Sequence, residues 1–398
     1  MILFAGAFGR PGRRSTPGVA KGMSENRSDV LIVGAGILGL AHAYAAAKRG
    51  LKVTVLERGV RASGASVRNF GMIWPIGQPL GARYEFALQS RRLWLEALDR
   101  AGIPYARSGS LHLTYRADET EVAREFVELA PSRGVRCAWQ TPAEILERCP
   151  AVVPLGLQGG IWSDVELTID PRVVVAQFPA FLAEQFHVAF HYGTAAQAIG
   201  PSAVTAAGRT FLAEHVVVCS GDDFEALFPL AFHDSGLTRC KLQMMRSVPY
   251  GMPLGPSLAA GLTLRFYPSF QICSALPRLK ARIAAEMPEY DRWGIHVMVS
   301  QTAAGELTIG DSHEYGLAID IFDKTEIDDL ILRYLATFLK TEPLSIASRW
   351  HGVYCKHPAD PYIRLHPAPG VQIVTGPGGA GMTLSFAIGE ETCASLQL

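Results

Sequence analysis

An α/β fold with a parallel sheet, interleaved with an α+β domain on an antiparallel sheet, is predicted by three observations. An apolar strand, a glycine turn, a helix, a second strand and an acid follow one another between Asp29 and Glu57. A second strand-to-glycine-to-helix unit begins at Val371. Between the two, several stretches alternate apolar and polar residues as half-buried antiparallel strands do.

Asp29-Val30-Leu31-Ile32-Val33 reads as a fully buried strand. Gly34-Ala35-Gly36-Ile37-Leu38-Gly39 follows, then an alanine-rich helix to Arg49, a strand at 52–56, and Glu57-Arg58. That order is the context a dinucleotide fingerprint requires, which makes this domain Rossmann-like. Gly34 allows the tight turn, Gly36 lets the backbone approach a pyrophosphate, and Gly39 lets the helix pack closely on the sheet. The helix N-terminus offers N–H groups and a positive dipole end to phosphates. Glu57 stands about 20 residues beyond the second glycine, where a carboxylate reaches the ribose hydroxyls.

Composition narrows the rest. A chain of 398 residues can hold two domains and a large core. Lys+Arg and Asp+Glu both number 37, which gives no support for nucleic acid or an anionic membrane as partner. Seven cysteines without paired spacing argue against a disulfide framework and against a metal site. Met1 to Phe8 is apolar, but its arginines follow it, the reverse of a signal peptide, and no run approaches the ~20 residues of a membrane span. Residues 1–28 are expected to be disordered and the protein cytoplasmic.

Beyond Glu57, the small residues of Gly64 to Trp74 let backbone run close to a flat ligand, with Met72 and Trp74 able to cover it. Helices are expected at 81–101, at 119–133 and, opened by Thr141-Pro142, just after. Gly109 to Tyr115 alternates as a strand; Gly159-Gly160-Ile161-Trp162 and Asp170-Pro171-Arg172 read as turns, the latter opening a helix to Gln185. Strands follow at 187–192 and 214–221. From Cys240 to Leu344 the pattern is alternating strand, with a hairpin of 293–299 and 306–310 and a helix at 326–338. Val371 to Thr375 is a strand, and Gly376-Pro377-Gly378-Gly379-Ala380-Gly381 leads into a closing helix whose dipole suits an isoalloxazine N1–C2 edge. The nucleotide domain is expected to comprise 29–82, 145–225 and 346–398, and the second domain 83–144 and 226–345.

Taken together, these motifs resemble the D-amino-acid oxidase, glycine oxidase and sarcosine oxidase superfamily. The markers are Val33 to Gly39, Glu57-Arg58, Ala65-Ser66 with Gly71-Met72, Val218 to Gly221, and Thr375 to Met382. The segments Ala65 to Pro79 and Gly378 to Ser385 are similar to a narrower clade proposed to act on aminophosphonates related to 2-aminoethylphosphonate. The resemblance implies a glutathione-reductase-type FAD domain, FAD as cofactor, and oxidation of a C–N bond. Hydride would pass to flavin N5, and the imine would hydrolyse to an aldehyde. Carried over residue by residue, the FAD contacts are Gly34, Gly36, Ile37, Leu38, Gly39, Glu57, Arg58, Ala65, Ser66, Asn69, Gly71, Met72, Ala196, Ser220, Gly221, Gly378, Gly379, Ala380, Gly381 and Met382.

The departures bear on substrate. The amino-acid carboxylate clamp, an arginine in glycine and D-amino-acid oxidases, matches Tyr354 here. The cysteine that binds flavin covalently in monomeric sarcosine oxidases matches Gly352, and Cys355 is offset from it, so FAD is expected to be non-covalent. The oxygen-activating lysine matches Thr308, which leaves oxygen as acceptor open beside a dehydrogenase. An anionic phosphonate calls for cationic and hydroxyl donors. The candidates for substrate are Arg68, Trp74, Arg265, Tyr267, His296, His351, Tyr354 and Lys356, with His296 and Tyr354 also the catalytic candidates. His313 and His357 read as surface or turn residues, His112 and His187 as structural. The alternative is a glycine- or sarcosine-type amine. The expected partner is a small amine, and the oligomeric state is left open.

Overall fold

In the computed structural model, residues 27–342 and 344–396 are described. The expectation of disorder over 1–26 falls outside them, while Arg27 and Ser28 open the first strand, Arg27–Val33.

That strand is central because both its neighbours are parallel and every residue from Val30 on is apolar. Val30 to Val33 pair with Val53–Leu56 on one side and with His215 to Val218 on the other. Ala189–His191 extends the parallel set beyond Val53–Leu56, and Val371–Thr375 extends it beyond Arg209–Val218. An antiparallel hairpin of Ala196–Gly200 and Ala203–Ala206 and the strand Ile363–Ala368 complete this sheet.

Helix Ile37–Ala47 is buried on nearly all sides, which explains its run of alanines. Helix Gly381–Ser395 lies on it so closely that a Cβ at Gly389 would sit 2.8 Å from the Ala41 backbone. Tyr44 packs edge-on to Phe178, Phe186 and Phe386, which joins helix Pro171–Phe186 to the same core.

The second sheet is organised by the long strand Thr238–Pro249. It pairs antiparallel with Ile346–Lys356 along most of its length, and with Glu306–Gly310 and Glu314–Gly316. Met298–Gln301, Ser257–Ala259, Ser110–Thr114, Gly159–Ser163 and Ala138–Gln140 continue it in that order. Helices Ala117–Leu129, Leu276–Glu286 and Thr325–Leu335 bury Val122, Phe126, Leu279, Ile283, Ile331 and Leu335 in its core.

Several expectations are corrected. Gly159 to Trp162 is a strand, its first glycine held at φ +138° where a Cβ would strike the Trp139 indole. Residues 293–297 are not strand; the hairpin begins at Met298. The stretch 240–344 also carries helices Gly261–Phe266, Leu276–Glu286 and Pro288–Arg292, the second burying Leu276, Leu279 and Ile283 at helical spacing. The expected domain limits cut through shared elements. Helix Ala82–Ala101 buries Ala87, Trp94 and Leu98 in the nucleotide-domain core, whereas Gly159–Ser163 and Ile346–Lys356 belong to the second sheet.

Candidate functional site

A cavity of about 870 Å³ runs between the two sheets, lined by the glycine turns at one end and by the second sheet at the other. Among the described residues, no helix is long and apolar enough to cross a membrane.

The first turn is built from backbone. Gly34 stands at φ +105°, and a Cβ there would lie 2.4 Å from the Cys219 carbonyl oxygen. At Gly39 a Cβ would lie 1.9 Å from the Gly34 carbonyl oxygen, so this glycine packs the helix on the turn and does not line the cavity. Glu57 straps the turn: Ala35 N–H donates to its Oε2 at 2.9 Å and Gly59 N–H to its Oε1 at 2.9 Å. Each carboxylate oxygen keeps acceptor capacity for a hydroxyl. The Ser66 hydroxyl accepts from Ile37 N–H at 2.9 Å, tying the second loop to the start of the first helix. Asn69 holds that loop from within, its amide donating to the Ala65 and Ser66 carbonyls and accepting from Gly71 N–H.

The second turn is anchored by the helix it opens. Trp94 Nε1–H donates to the Met382 carbonyl at 2.8 Å, and the Thr383 hydroxyl accepts from Trp74 N–H at 2.9 Å. Gly378 takes φ +57°, with Lys356 Cγ 3.3 Å from where a Cβ would be.

The far end is built from side chains. His296 Nε2 lies 3.2 Å from Asp311 Oδ1, and His313 Nε2 lies 3.9 Å from Asp311 Oδ2. All three residues are buried and face the cavity. His313 shares its Nδ1 with the Gly294 carbonyl at 2.9 Å. Phe266 stacks on His296 with centroids 3.8 Å apart, and Tyr315 stacks on His313. Burial pushes the Asp311 carboxyl well above the usual carboxylate range. It holds His296 well below the ordinary imidazole value and lowers His313 to about 4. Tyr267 and Tyr354 border the same space, and burial holds both phenols neutral.

The structure brings most sequence candidates to this cavity. Gly34, Gly36, Ile37, Leu38, Glu57, Arg58, Ala65, Ser66, Asn69, Met72, Ala196, Ser220, Gly221 and Gly378 to Met382 line it, as do Arg68, Trp74, Tyr267, His296, Tyr354 and Lys356.

Four candidates do not reach it. Gly39 serves helix packing, and Gly71 a turn at φ +71° against the Ile169 carbonyl. Arg265 is spent on Asp291 at 2.8 Å and on the Tyr290 and Ile295 carbonyls. His351 pairs with Asp323 at 2.8 Å on a separate surface depression. His313, expected at the surface, is instead buried, and Asp311 was not foreseen. No spacing motif marks them; their one signal is the short polar run Asp311-Ser312-His313 directly after an apolar strand.

Two glycine turns at helix starts, a carboxylate beside the first, and a long cavity leading to a titratable wall define a dinucleotide-dependent redox protein. The cradle fits FAD: at Gly36 even a Cβ would crowd Ser66 Oγ to 3.1 Å. A family profile described as DAO, FAD dependent oxidoreductase, matches residues 29–395, and the chain belongs to that family. It is 28% identical to a glycine oxidase of Geobacillus kaustophilus over 49% of this chain and 55% of that protein. Identity to a sarcosine oxidase subunit beta of Arthrobacter sp is 30%, over 43% of this chain and 41% of that one. The matched region thus spans about half the length of these relatives. The crystal structure of the Geobacillus kaustophilus glycine oxidase superposes with a TM-score of 0.73 at 22% identity, covering 92% of this chain and 93% of that one. L-proline dehydrogenase from P.horikoshii gives 0.73 at 19%, covering 93% of each chain.

Proposed function

We propose that this FAD-dependent enzyme oxidises the C–N bond of a small amine that carries a phosphonate, of the 2-aminoethylphosphonate type. The observation that carries this reading is charge. Arg68 and Lys356 line the cavity, and neither meets a carboxylate within the described residues. Arg68 is steered only by the His351 carbonyl, and Lys356 lies over the Tyr315 ring. An anion supplied by the ligand satisfies them. Tyr354, where amino-acid oxidases place a clamp arginine, offers a single hydroxyl and is better suited to one oxygen of a tetrahedral group than to a bidentate carboxylate.

When bound, FAD supplies the hydride acceptor for the carbon next to the amine nitrogen. The chain's own work is to hold and orient. Gly34, Gly36, Glu57, Ser66 and Asn69 would hold the adenosine and phosphate portion, and Gly378 to Met382 the ring edge. FAD is read as non-covalent. A Cβ at Gly352 would lie 3.0 Å from the Arg68 carbonyl oxygen, and Cys355 Sγ is engaged by the Thr375 hydroxyl at 2.9 Å. Trp74, Phe266 and Tyr267 line the cavity and would give the reacting carbon an apolar surround.

A second reading, a glycine- or sarcosine-type amine, is favoured by the relatives' printed activities. Anaerobic bleaching of the flavin band separates the two readings. The panel holds 2-aminoethylphosphonate, its N-methyl and 1-hydroxy forms, glycine and sarcosine. Bleaching by an aminophosphonate alone is expected; bleaching by glycine or sarcosine alone overturns the first reading. Readmitting air then distinguishes an oxidase from a dehydrogenase.

A further inference from the structure

Asp311 is a carboxyl group buried in the cavity wall with no lysine or arginine within ion-pair reach among the described residues. Its Oδ1 completes no hydrogen bond there, and neither does His296 Nδ1. Burial holds this carboxyl protonated in the empty pocket, and it ionises only when something cationic enters beside it. A divalent ion is poorly served. His296, Asp311 and His313 bring one donor atom each within 4.8 Å of one another, but that is three donors where a tetrahedral or octahedral ion takes four or six, and the two rings are stacked with centroids 5.1 Å apart. A ligand with an ammonium group meets the need better, and such a ligand brings a chemical problem with it. An aliphatic amine is protonated at neutral pH, and its carbon cannot release hydride until the nitrogen has a free electron pair.

We propose that Asp311 is the base that receives the substrate's ammonium group and removes its proton, with the His296 ring beside it in the cavity wall. This deepens the amine-oxidising reading and rests on it. The N–H bond breaks, its electron pair stays on nitrogen, and the proton passes to an Asp311 oxygen. The proton then rests on the Asp311 carboxyl, whose Oδ1 lies 3.2 Å from His296 Nε2 with no hydrogen bond formed between them in the structure. A proton that Asp311 carries in the empty pocket leaves to solvent as the ammonium enters, so each amine bound releases one proton overall.

Burial supports this division of roles. It makes Asp311 a stronger base than an ordinary carboxylate and keeps His296 neutral, so no positive charge stands beside the carboxyl to weaken it as a base. The titratable and charged groups facing the pair are consistent with it. His313 is itself held neutral by burial, and Tyr267, Tyr315, Tyr354 and Cys240 are all pushed upward and uncharged. Arg265 and Lys356 are the nearby cations, and both act against protonation of the histidines.

The test is proton release on binding to the oxidised holoenzyme, by calorimetry at pH 7.5 in two buffers of different ionisation enthalpy. The probes are 2-amino-2-methylpropylphosphonate and tert-butylamine, whose nitrogen-bearing carbons have no hydrogen to give. In the parent, both are expected to release about one proton per ligand. Asp311→Asn should release none and bind both at least tenfold more weakly, while Asp311→Glu restores the release. Flavin content equal to the parent's shows that each variant is folded. Absence of release from the parent, or equal release from Asp311→Asn, overturns the proposal. Asp311-dependent release with tert-butylamine, when the phosphonate adds no affinity, leaves this proposal standing and sinks the phosphonate reading. Tight binding of the phosphonate with release indifferent to Asp311 does the reverse. In turnover, Asp311→Asn should lose about 100-fold in anaerobic reduction rate at pH 7.5 and recover near pH 10, where the free amine exists in solution.

Discussion

The two ends of the cavity are made of different materials. The nucleotide end is backbone: glycines at positive φ, helix N-termini, and one carboxylate strapped by two N–H groups. The far end is side chain: an acid, two histidines, three tyrosines and a lysine on strands of a twisted sheet and the loops between them. A backbone site demands particular residues at fixed spacing, because only glycine leaves the room. A side-chain site can be assembled from any strands that converge, and its residues carry no spacing rule.

Substitutions can break that comparison, and the largest effect is expected at the backbone end. Gly34→Val forces a β-branched residue to φ +105° with a Cβ 2.4 Å from a carbonyl oxygen. A cost of about 3 kcal/mol is the minimum, and FAD affinity should fall at least about 100-fold, read as flavin per protein after gel filtration. Retention of a full flavin complement would mean that the turn is not the site. Glu57→Ala removes both straps and the proposed ribose contact. It should weaken FAD roughly 10- to 100-fold in titrations of apoprotein.

At the far end, Lys356→Met should raise the dissociation constant for an aminophosphonate about tenfold and leave the limiting reduction rate within about threefold. An unchanged dissociation constant would remove Lys356 from the anion subsite. The smallest effect is in stability. His112 is fully buried beneath Trp74 with neither ring nitrogen bonded, and burial lowers its pKa to about 3. A base depressed in the folded state stabilises the fold above the unfolded value near 6.5, and that stability is lost as pH falls toward 3. Between pH 7 and 5.5, His112→Leu should therefore reduce the loss of denaturant stability by about 1 kcal/mol. An identical pH dependence in parent and variant would show that His112 takes up its proton at the same pH in the native and the unfolded chain.

The same contrast explains what the sequence made legible. The parallel strands, the first helix and both glycine turns could be read because burial on every side leaves uninterrupted apolar runs and glycines at fixed offsets. Gly159–Ser163 was missed because two glycines suggested a turn, when in fact they make room for Trp139 and for the His112 backbone. His313 was misplaced because one histidine in Asp311-Ser312-His313 gives no sign of direction. Its burial depends on Trp293 and Gly294, which lie on a loop whose path no local pattern specifies. Arg265 and His351 were over-read for the same reason: a basic side chain on a candidate strand faces an acid no less readily than a ligand, and here both do.

The bond between Trp74 N–H and the Thr383 hydroxyl joins residues 309 positions apart. A ribosome adding roughly 5 to 20 residues per second needs about 15 to 60 s to cover that distance. Throughout that interval the nucleotide fingerprint has left the exit tunnel without the wall that closes on it. Flavin capture is therefore a late event in the life of each chain. Arrested nascent chains ending before Val371 should consequently fail to retain flavin, however long they are given.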